Sequence, residues 1–415
     1  MIFDTDYGPF IDDVFALGLI ANSGDLLDLK YVLTTSENPS LSAQCTAKHL
    51  SLAAFSDVQV GKGASFPDYA LRGGVCSREG FLGFALEEKC NESDELFYHE
   101  KGIETLAMML DKSDRKDWWY IVVGGQSSVK VLIEDHPSAA SKISTLIVMG
   151  GNWCSGDFEP YPDVASPTDE TNIACDPGAA NFVLDSSKSP FDKIYYVPVV
   201  VAAEIGGDDY IKVVEAAESR SDSGAAATID FYKAWSEAAR KDESLLIHKE
   251  AMKYDPETES TPQFDACAVM LALELLDDES CDDRLTLFDI ESGVHFYEPG
   301  DDGLKGYPDE PRIAFSLLPG DLNIPEEQLP GQCPALTEFT FDPKETPEIE
   351  KSVTVALGFN SEEAKKSFYG EMAERMAGTF STKNRKCFKS AKAGKKGKTE
   401  KKTATRENPK RTRRL

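Results

Sequence analysis

Residues 2–21 read IFDTDYGPFIDDVFALGLIA. Ile2-Phe3 closes a short apolar run, and Val14, Ala16, Leu17 and Ile20 recur at helical spacing between Asp12 and Ala21. The stretch therefore predicts a strand that passes into a helix. Four carboxylates, Asp4, Asp6, Asp12 and Asp13, fall within ten residues at that junction. Carboxylates so close repel one another unless a cation sits between them. No Cys or His lies nearby, so the donors are all oxygen, which suits Ca²⁺ or Mg²⁺ and not zinc. A capped loop with solvated acids is one alternative, and a phosphoryl-transfer site with the first Asp as nucleophile is another.

Outward from this junction, strand-length apolar runs recur at Leu29 to Thr34, Trp119 to Val123, Ile143 to Met149 and Ile194 to Val201, each followed by a helical pattern. Short buried strands alternating with helices predict an α/β fold: an open, mostly parallel sheet with helices on both faces and a Rossmann-like core. Ligands in such sheets bind at the carboxyl ends of the strands. Phe264 to Leu276 is apolar on nearly every side and predicts a buried helix, with Asp265 at its amino-terminal end. Residues 299–351 are rich in Pro, Gly and acids and predict long loops, after which Ser352 to Phe359 reads as a strand and Ser361 to Met376 as an amphipathic helix.

The chain of 415 residues has a net charge of -28, but residues 383–415 contain 15 of its 44 Lys+Arg against only Glu400 and Glu407. Removing that net +13 leaves the remainder at -41. Such a body repels nucleic acid and anionic membrane and attracts divalent cations. Two units are expected, a catalytic domain over residues 1–380 and a disordered basic tail over 381–415, for which nucleic-acid contact stays open. Nine cysteines without a CxxC pair suggest reduced, buried thiols. No run is long enough to span a membrane, and the opening residues lack the pattern of a signal peptide, so a cytoplasmic location is expected. Secretion stays open if sequence is missing upstream, and the sequon Asn91-Glu92-Ser93 is compatible with it.

Two further stretches bear on chemistry. Val148-Met149-Gly150-Gly151-Asn152 is a strand end whose glycines allow close backbone approach to a ligand. In Glu170-Thr171-Asn172-Ile173-Ala174-Cys175-Asp176-Pro177, Glu170 and Asn172 would point the same way from an extended segment and grip neighbouring sugar hydroxyls. In this order, the chain resembles the inosine-uridine-preferring nucleoside hydrolase family. The resemblance is carried by Asp4-Thr5-Asp6-Tyr7-Gly8, Asp12-Asp13-Val14-Phe15-Ala16-Leu17, Met149-Gly150-Gly151, Glu170 to Pro177 and Asp265, with a weaker echo at Thr34-Thr35-Ser36-Glu37-Asn38.

That resemblance implies a nucleoside hydrolase-like fold and Ca²⁺-dependent hydrolysis of ribonucleosides to ribose and free base. It implies that Asp6, Asp13, Asp265 and the backbone carbonyl near Gly124 hold Ca²⁺, and that Asp6 takes a proton from the attacking water. Asp12, Asn38, Glu170 and Asn172 would hold the ribose, with Asp4 behind them, and the assembly would be a homo-oligomer. The family's spacing from the second Asp to the DD pair is four, whereas Asp6 to Asp12 is six, because Tyr7-Gly8-Pro9-Phe10-Ile11 replaces a shorter P-G-x. Phe264 stands where many members carry a His, and members preferring purine nucleosides place an aromatic there, so Phe264 tilts the expectation toward purines or else packs against its helix. Trp153, Phe81 and Phe84 are further candidates for a base pocket, and 69–98 for a lid. No histidine falls in a motif. A catalytically impaired relative that binds metal and a ribosyl ligand is the competing expectation.

Overall fold

Alternation along the central strands builds two cores, one on each face of a sheet. Phe3, Val32, Ile121 and Ile147 belong to one hydrophobic cluster, while Ile2, Tyr31, Leu33, Tyr120, Val122, Leu146 and Val148 belong to the other. Side chains of a strand point to opposite faces in turn, so each strand feeds both layers and must be apolar throughout.

The computed structural model describes residues 1–8, 11–67, 89–90, 98–151, 171–184, 187–202, 208–219, 223–241, 263–277, 284–297, 312–317 and 351–380. Its strands are β1 (Ile2–Thr5), β2 (Tyr31–Ser36), β3 (Gln59–Ser65), β4 (Trp118–Val122), β5 (Ile143–Met149), β6 (Lys193–Val197), β7 (Leu285–Tyr297), β8 (Arg312–Leu317) and β9 (Lys351–Phe359). They form one sheet in the order β3-β2-β1-β4-β5-β6-β9-β7-β8. Pairing is parallel from β3 to β9, and β7 and β8 add an antiparallel edge.

The helices are α1 (Asp12–Ala21), α2 (Pro39–Leu52), α3 (Gly102–Lys112), α4 (Ser127–Asp135), α5 (Pro137–Ala140), α6 (Thr171–Ala174), α7 (Pro177–Leu184), α8 (Val199–Ala202), α9 (Asp208–Glu218), α10 (Ser223–Lys241), α11 (Phe264–Leu276) and α12 (Glu362–Met376). Helices α1, α2, α10, α11 and α12 supply buried side chains to one core, and α3, α4, α5 and α7 to the other. None among the described residues is long and apolar enough to cross a membrane. The tail from 381 onward lies outside the described residues, as do Phe81, Phe84, Trp153, Glu170 and most of 69–98.

Three expectations change. The valine-rich run to Val201 is not one strand: Pro198 has no N–H for the ladder, β6 stops at Val197, and Val201 N–H returns to the Pro198 carbonyl at 3.0 Å in a helical turn. Within 299–351, where long loops were expected, Arg312–Leu317 is β8, paired with β7.

The third change concerns the cysteines. Cys45 and Cys90 are joined in a buried disulfide, and Cys175 is also disulfide-bonded, whereas Cys267 is a buried thiol. Gln44 Nε2 donates to the Cys90 carbonyl at 3.2 Å, and Lys89 Nζ pairs with Asp230 Oδ2 at 2.6 Å, so the short Lys89-Cys90 segment is clasped between α2 and α10. The bridge spans 45 residues, for which loop-closure entropy sets a ceiling of about 4 kcal/mol. The double variant Cys45→Ala/Cys90→Ala is expected to lose about 2–4 kcal/mol of unfolding free energy in non-reducing denaturant titrations. Unchanged stability would show the clasp to be dispensable.

Candidate metal and active site

The chain runs outward from β1 to β2 and β3 on one side, then returns to β4 beside β1 and continues to β5 and β6 on the other. The crevice at this reversal, between the carboxyl ends of β1 and β4, is where open α/β sheets bind ligands. Asp6 follows β1, and Gly124 follows β4. A Cβ at Gly124 would lie 3.0 Å from Asp6 N and 3.1 Å from Asp6 Oδ1, so a side chain there would crowd Asp6 unless it shifted.

Helix α1 begins with Asp12 and Asp13, and α11 with Phe264 and Asp265, so three carboxylates lie in the first turns of two helices, where the helix dipole favours negative charge. Carboxylate oxygens of Asp12, Asp13 and Asp265 lie within 4.8 Å of one another, and all three residues are buried. Asp13 is the hub. Its carboxylate accepts a hydrogen bond from Thr5 Oγ1 and is within hydrogen-bonding contact of both Asp265 and Asp6. The residues between Asp6 and Asp12 thus leave Asp6 against Asp13 despite the longer spacing. Gly8, at φ 134°, takes a turn in that segment that a side chain would strain.

Asp12 accepts from the backbone amides of Asp13 and Asp265, which ties the start of α1 to the start of α11. Asp4 lies beneath, accepting from Thr35 Oγ1 at 2.7 Å and Tyr120 Oη at 2.8 Å. Asn172 lies in the one-turn helix α6, not in the extended segment expected, so the two-residue alternation that was to align 170 with 172 does not apply. Its amide donates to the Val123 and Met149 carbonyls at 2.8 and 3.2 Å, fastening α6 to the carboxyl ends of β4 and β5. Asn38 caps α2 through Oδ1, which accepts from Leu41 N–H at 3.3 Å. Phe264 is only 6% exposed and packs in the core.

Two participants escape the sequence reading. Thr5 faces α1 and holds Asp13, and Glu37 lies near enough to push the Asp6 carboxyl up. A Thr on a strand carries no signal of its own; Glu37 sits within the weak Thr34 to Asn38 echo.

Burial, and then mutual repulsion, hold Asp6, Asp12 and Asp265 well above the ordinary carboxylate range, and burial holds Asp4 and Asp13 at about 7. A carboxyl raised on folding keeps its proton where the unfolded chain, titrating near 4, has lost it. Stability without a cation therefore falls as pH climbs from about 4 to about 7. In chelator, the unfolding midpoint is expected to be lower at about pH 7.5 than at about pH 5, and a divalent cation should remove the difference. A midpoint that rises with pH in chelator would contradict carboxyls raised by burial. Buried, crowded, all-oxygen donors fit a hard divalent cation.

Residues 1–364 match the family of inosine-uridine preferring nucleoside hydrolases. The chain belongs to this family. Over 202 residues it is 28% identical to the pyrimidine-specific ribonucleoside hydrolase RihA of Escherichia coli O7:K1 (strain IAI39 / ExPEC), covering 48% of this chain and 58% of that protein. Over 186 residues it is 29% identical to RihA of Enterobacter sp. (strain 638), covering 44% of this chain and 55% of that protein. The chain thus spans little more than half the length of these curated relatives. A plant nucleoside hydrolase, PpNRh1, superimposes with a TM-score of 0.56 at 15% identity, over 91% of this chain and 98% of its own. The inosine-uridine preferring nucleoside hydrolase from Bacillus anthracis gives 0.55 at 15% identity, over 91% and 99%. These likenesses show the nucleoside hydrolase fold.

Proposed function

We propose that the chain hydrolyses the N-glycosidic bond of ribonucleosides, releasing ribose and free base, with Ca²⁺ as its cation. The gathering of Asp12, Asp13 and Asp265 at the sheet's reversal point, with Asp6 against Asp13, carries this reading. Asp6, Asp13, Asp265 and the Gly124 carbonyl would hold Ca²⁺, which when bound supplies a Lewis acid that lowers the pKa of water. Asp13 touches both other carboxylates, which supports this set. Asp12, already occupied by two backbone amides, is suited to accept a ribose hydroxyl instead.

Asp6 takes the proton from water as the oxygen attacks the anomeric carbon and the bond to the base breaks; the electron pair of that bond leaves with the base, which takes its proton from solvent water. Positive charge builds on the ribose ring in that transition state, and fixed carboxylates stabilise it without reorganising. Asn172, held by two backbone carbonyls, supplies a preorganised amide beside the ring; Glu170 and Asn38 complete the sugar contacts in this reading. The burial of Phe264 favours packing over stacking on a base, so we propose no base restriction, in place of the purine preference that Phe264 suggested. The Cys45–Cys90 disulfide supports maturation in an oxidising compartment, against the cytoplasmic expectation.

The test is reducing-sugar release from inosine, adenosine, guanosine, uridine and cytidine. Release from both purine and pyrimidine nucleosides is expected. Purine-only release would return Phe264 to a stacking role, and no release from any nucleoside would favour the catalytically impaired binder.

A further inference from the structure

Tyr7 follows Asp6 directly and is buried, its ring edge-on to Phe231 with centroids 6.0 Å apart. Its hydroxyl lies 2.9 Å from His49 Nδ1 on α2. His49 Nε2 lies 3.2 Å from Thr228 Oγ1 on α10, and the imidazole stacks on Phe231 at 5.1 Å. Thr228 Oγ1 is 3.0 Å from the Gly224 carbonyl.

The proton directions follow from this end. A carbonyl only accepts, so Thr228 gives its hydroxyl proton to Gly224 and receives His49 Nε2–H. His49 Nδ1 is then bare and accepts from Tyr7. All three links are satisfied with a neutral imidazole, and burial holds His49 down at about 3, in keeping with this state. The chain of contacts also returns to the site. A Cβ at Gly18 of α1 would lie 2.2 Å from Thr228 Oγ1, so Thr228 rests against the helix that carries Asp12 and Asp13.

We propose that Tyr7 is a positioning residue: the Tyr7–His49–Thr228 strut fixes the Asp6 end of the lengthened segment against α1, keeping Asp6 and Asp13 in cation-binding register. This rests on the cation reading of the site. The spacing from Asp6 to Asp12 is two residues longer than the family's, so this segment leaves more chain to be held in place. Tyr7→Phe keeps the ring against Phe231 and removes only the hydroxyl, leaving His49 Nδ1 unsatisfied.

The experiment is calorimetric Ca²⁺ titration of the full chain, with unfolding midpoints measured alongside, for wild type, Tyr7→Phe, Thr228→Val and the double variant. Outer-shell partners are worth about 10–100-fold in metal affinity, so about tenfold weaker binding is expected for each single variant. The double variant should bind about as weakly as either single one, since both cut one strut. Ca²⁺ affinity within about twofold of wild type, even with a lowered midpoint, would make Tyr7 a core residue only and overturn the proposal. Should one variant not fold, the other still decides it. Wild type that binds no Ca²⁺ would sink this proposal with the cation reading. Wild type that binds Ca²⁺ but cleaves no nucleoside would sink the proposed function alone, and the affinity comparison would still decide the role of Tyr7.

Discussion

Asp6→Asn is expected to lower kcat for nucleoside hydrolysis by about 100- to 10,000-fold, the range over which a positioned general base acts. Asparagine has the same shape and can lie against Gly124 and Asp13, but it cannot take a proton from water. The measurement is initial-rate ribose release at Ca²⁺ concentrations raised until the variant's rate no longer responds, which separates lost proton transfer from weakened cation binding. Asp6 suits the role by position as well as chemistry. It is half-buried at the crevice, where Asp12, Asp13 and Asp265 are buried, and its carboxyl is held high by burial and by Asp13 and Asp12. A variant within about tenfold of wild type would remove Asp6 as the base, because a rate effect that small lies below what general-base catalysis contributes.

Asp265→Asn is expected to weaken Ca²⁺ binding by more than about 100-fold, since even outer-shell partners are worth about 10–100-fold. The same substitution should leave the cation-free chain at least as stable as wild type. Asp265 is raised by burial and then by Asp12, Asp13 and Asp6, so neutralising it relieves repulsion that the folded state otherwise bears. A residue that only caps α11 predicts the reverse pattern, with a loss of about 1 kcal/mol in apo stability and little change in cation affinity. Calorimetric titration and chelated thermal unfolding of one preparation distinguish the two.

The sheet was legible in the sequence where its strands are buried on both faces. Ile143 to Met149 and the helices at Asp12 to Ala21 and Phe264 to Leu276 lie where the apolar pattern places them, because strand and helix periods there are uninterrupted. Edge strands were not. β3, QVGKGAS, is broken by glycines and exposed at intervals, and β7 and β8 form an antiparallel addition that no βαβ pattern announces. Val199 to Val201 misled because β-branched residues outweighed Pro198 in the reading, although the missing N–H decides the matter.

At the site, the crowding of four acids within ten residues made Asp12 and Asp13 legible as a carboxylate pair, whereas the place of Asp265 beside them was implied only by the family resemblance. Thr5, Glu37, Tyr7 and His49 were not legible, since Thr5 meets Asp13 only through the turn from β1 into α1 and the others meet partners on separate elements, as when His49 meets Thr228. The disulfide was hidden for the same reason: a separation of 45 residues leaves no local motif.

The central claim, that a cation held by these aspartates drives nucleoside hydrolysis, is tested most directly by titrating Ca²⁺ into chelated wild-type protein and following heat of binding and ribose release together. The expected result is no release in chelator and a rise in rate that superimposes on the binding isotherm, with free base and ribose formed in equal amounts. Release that persists in chelator, or binding that saturates without any release, would contradict the claim.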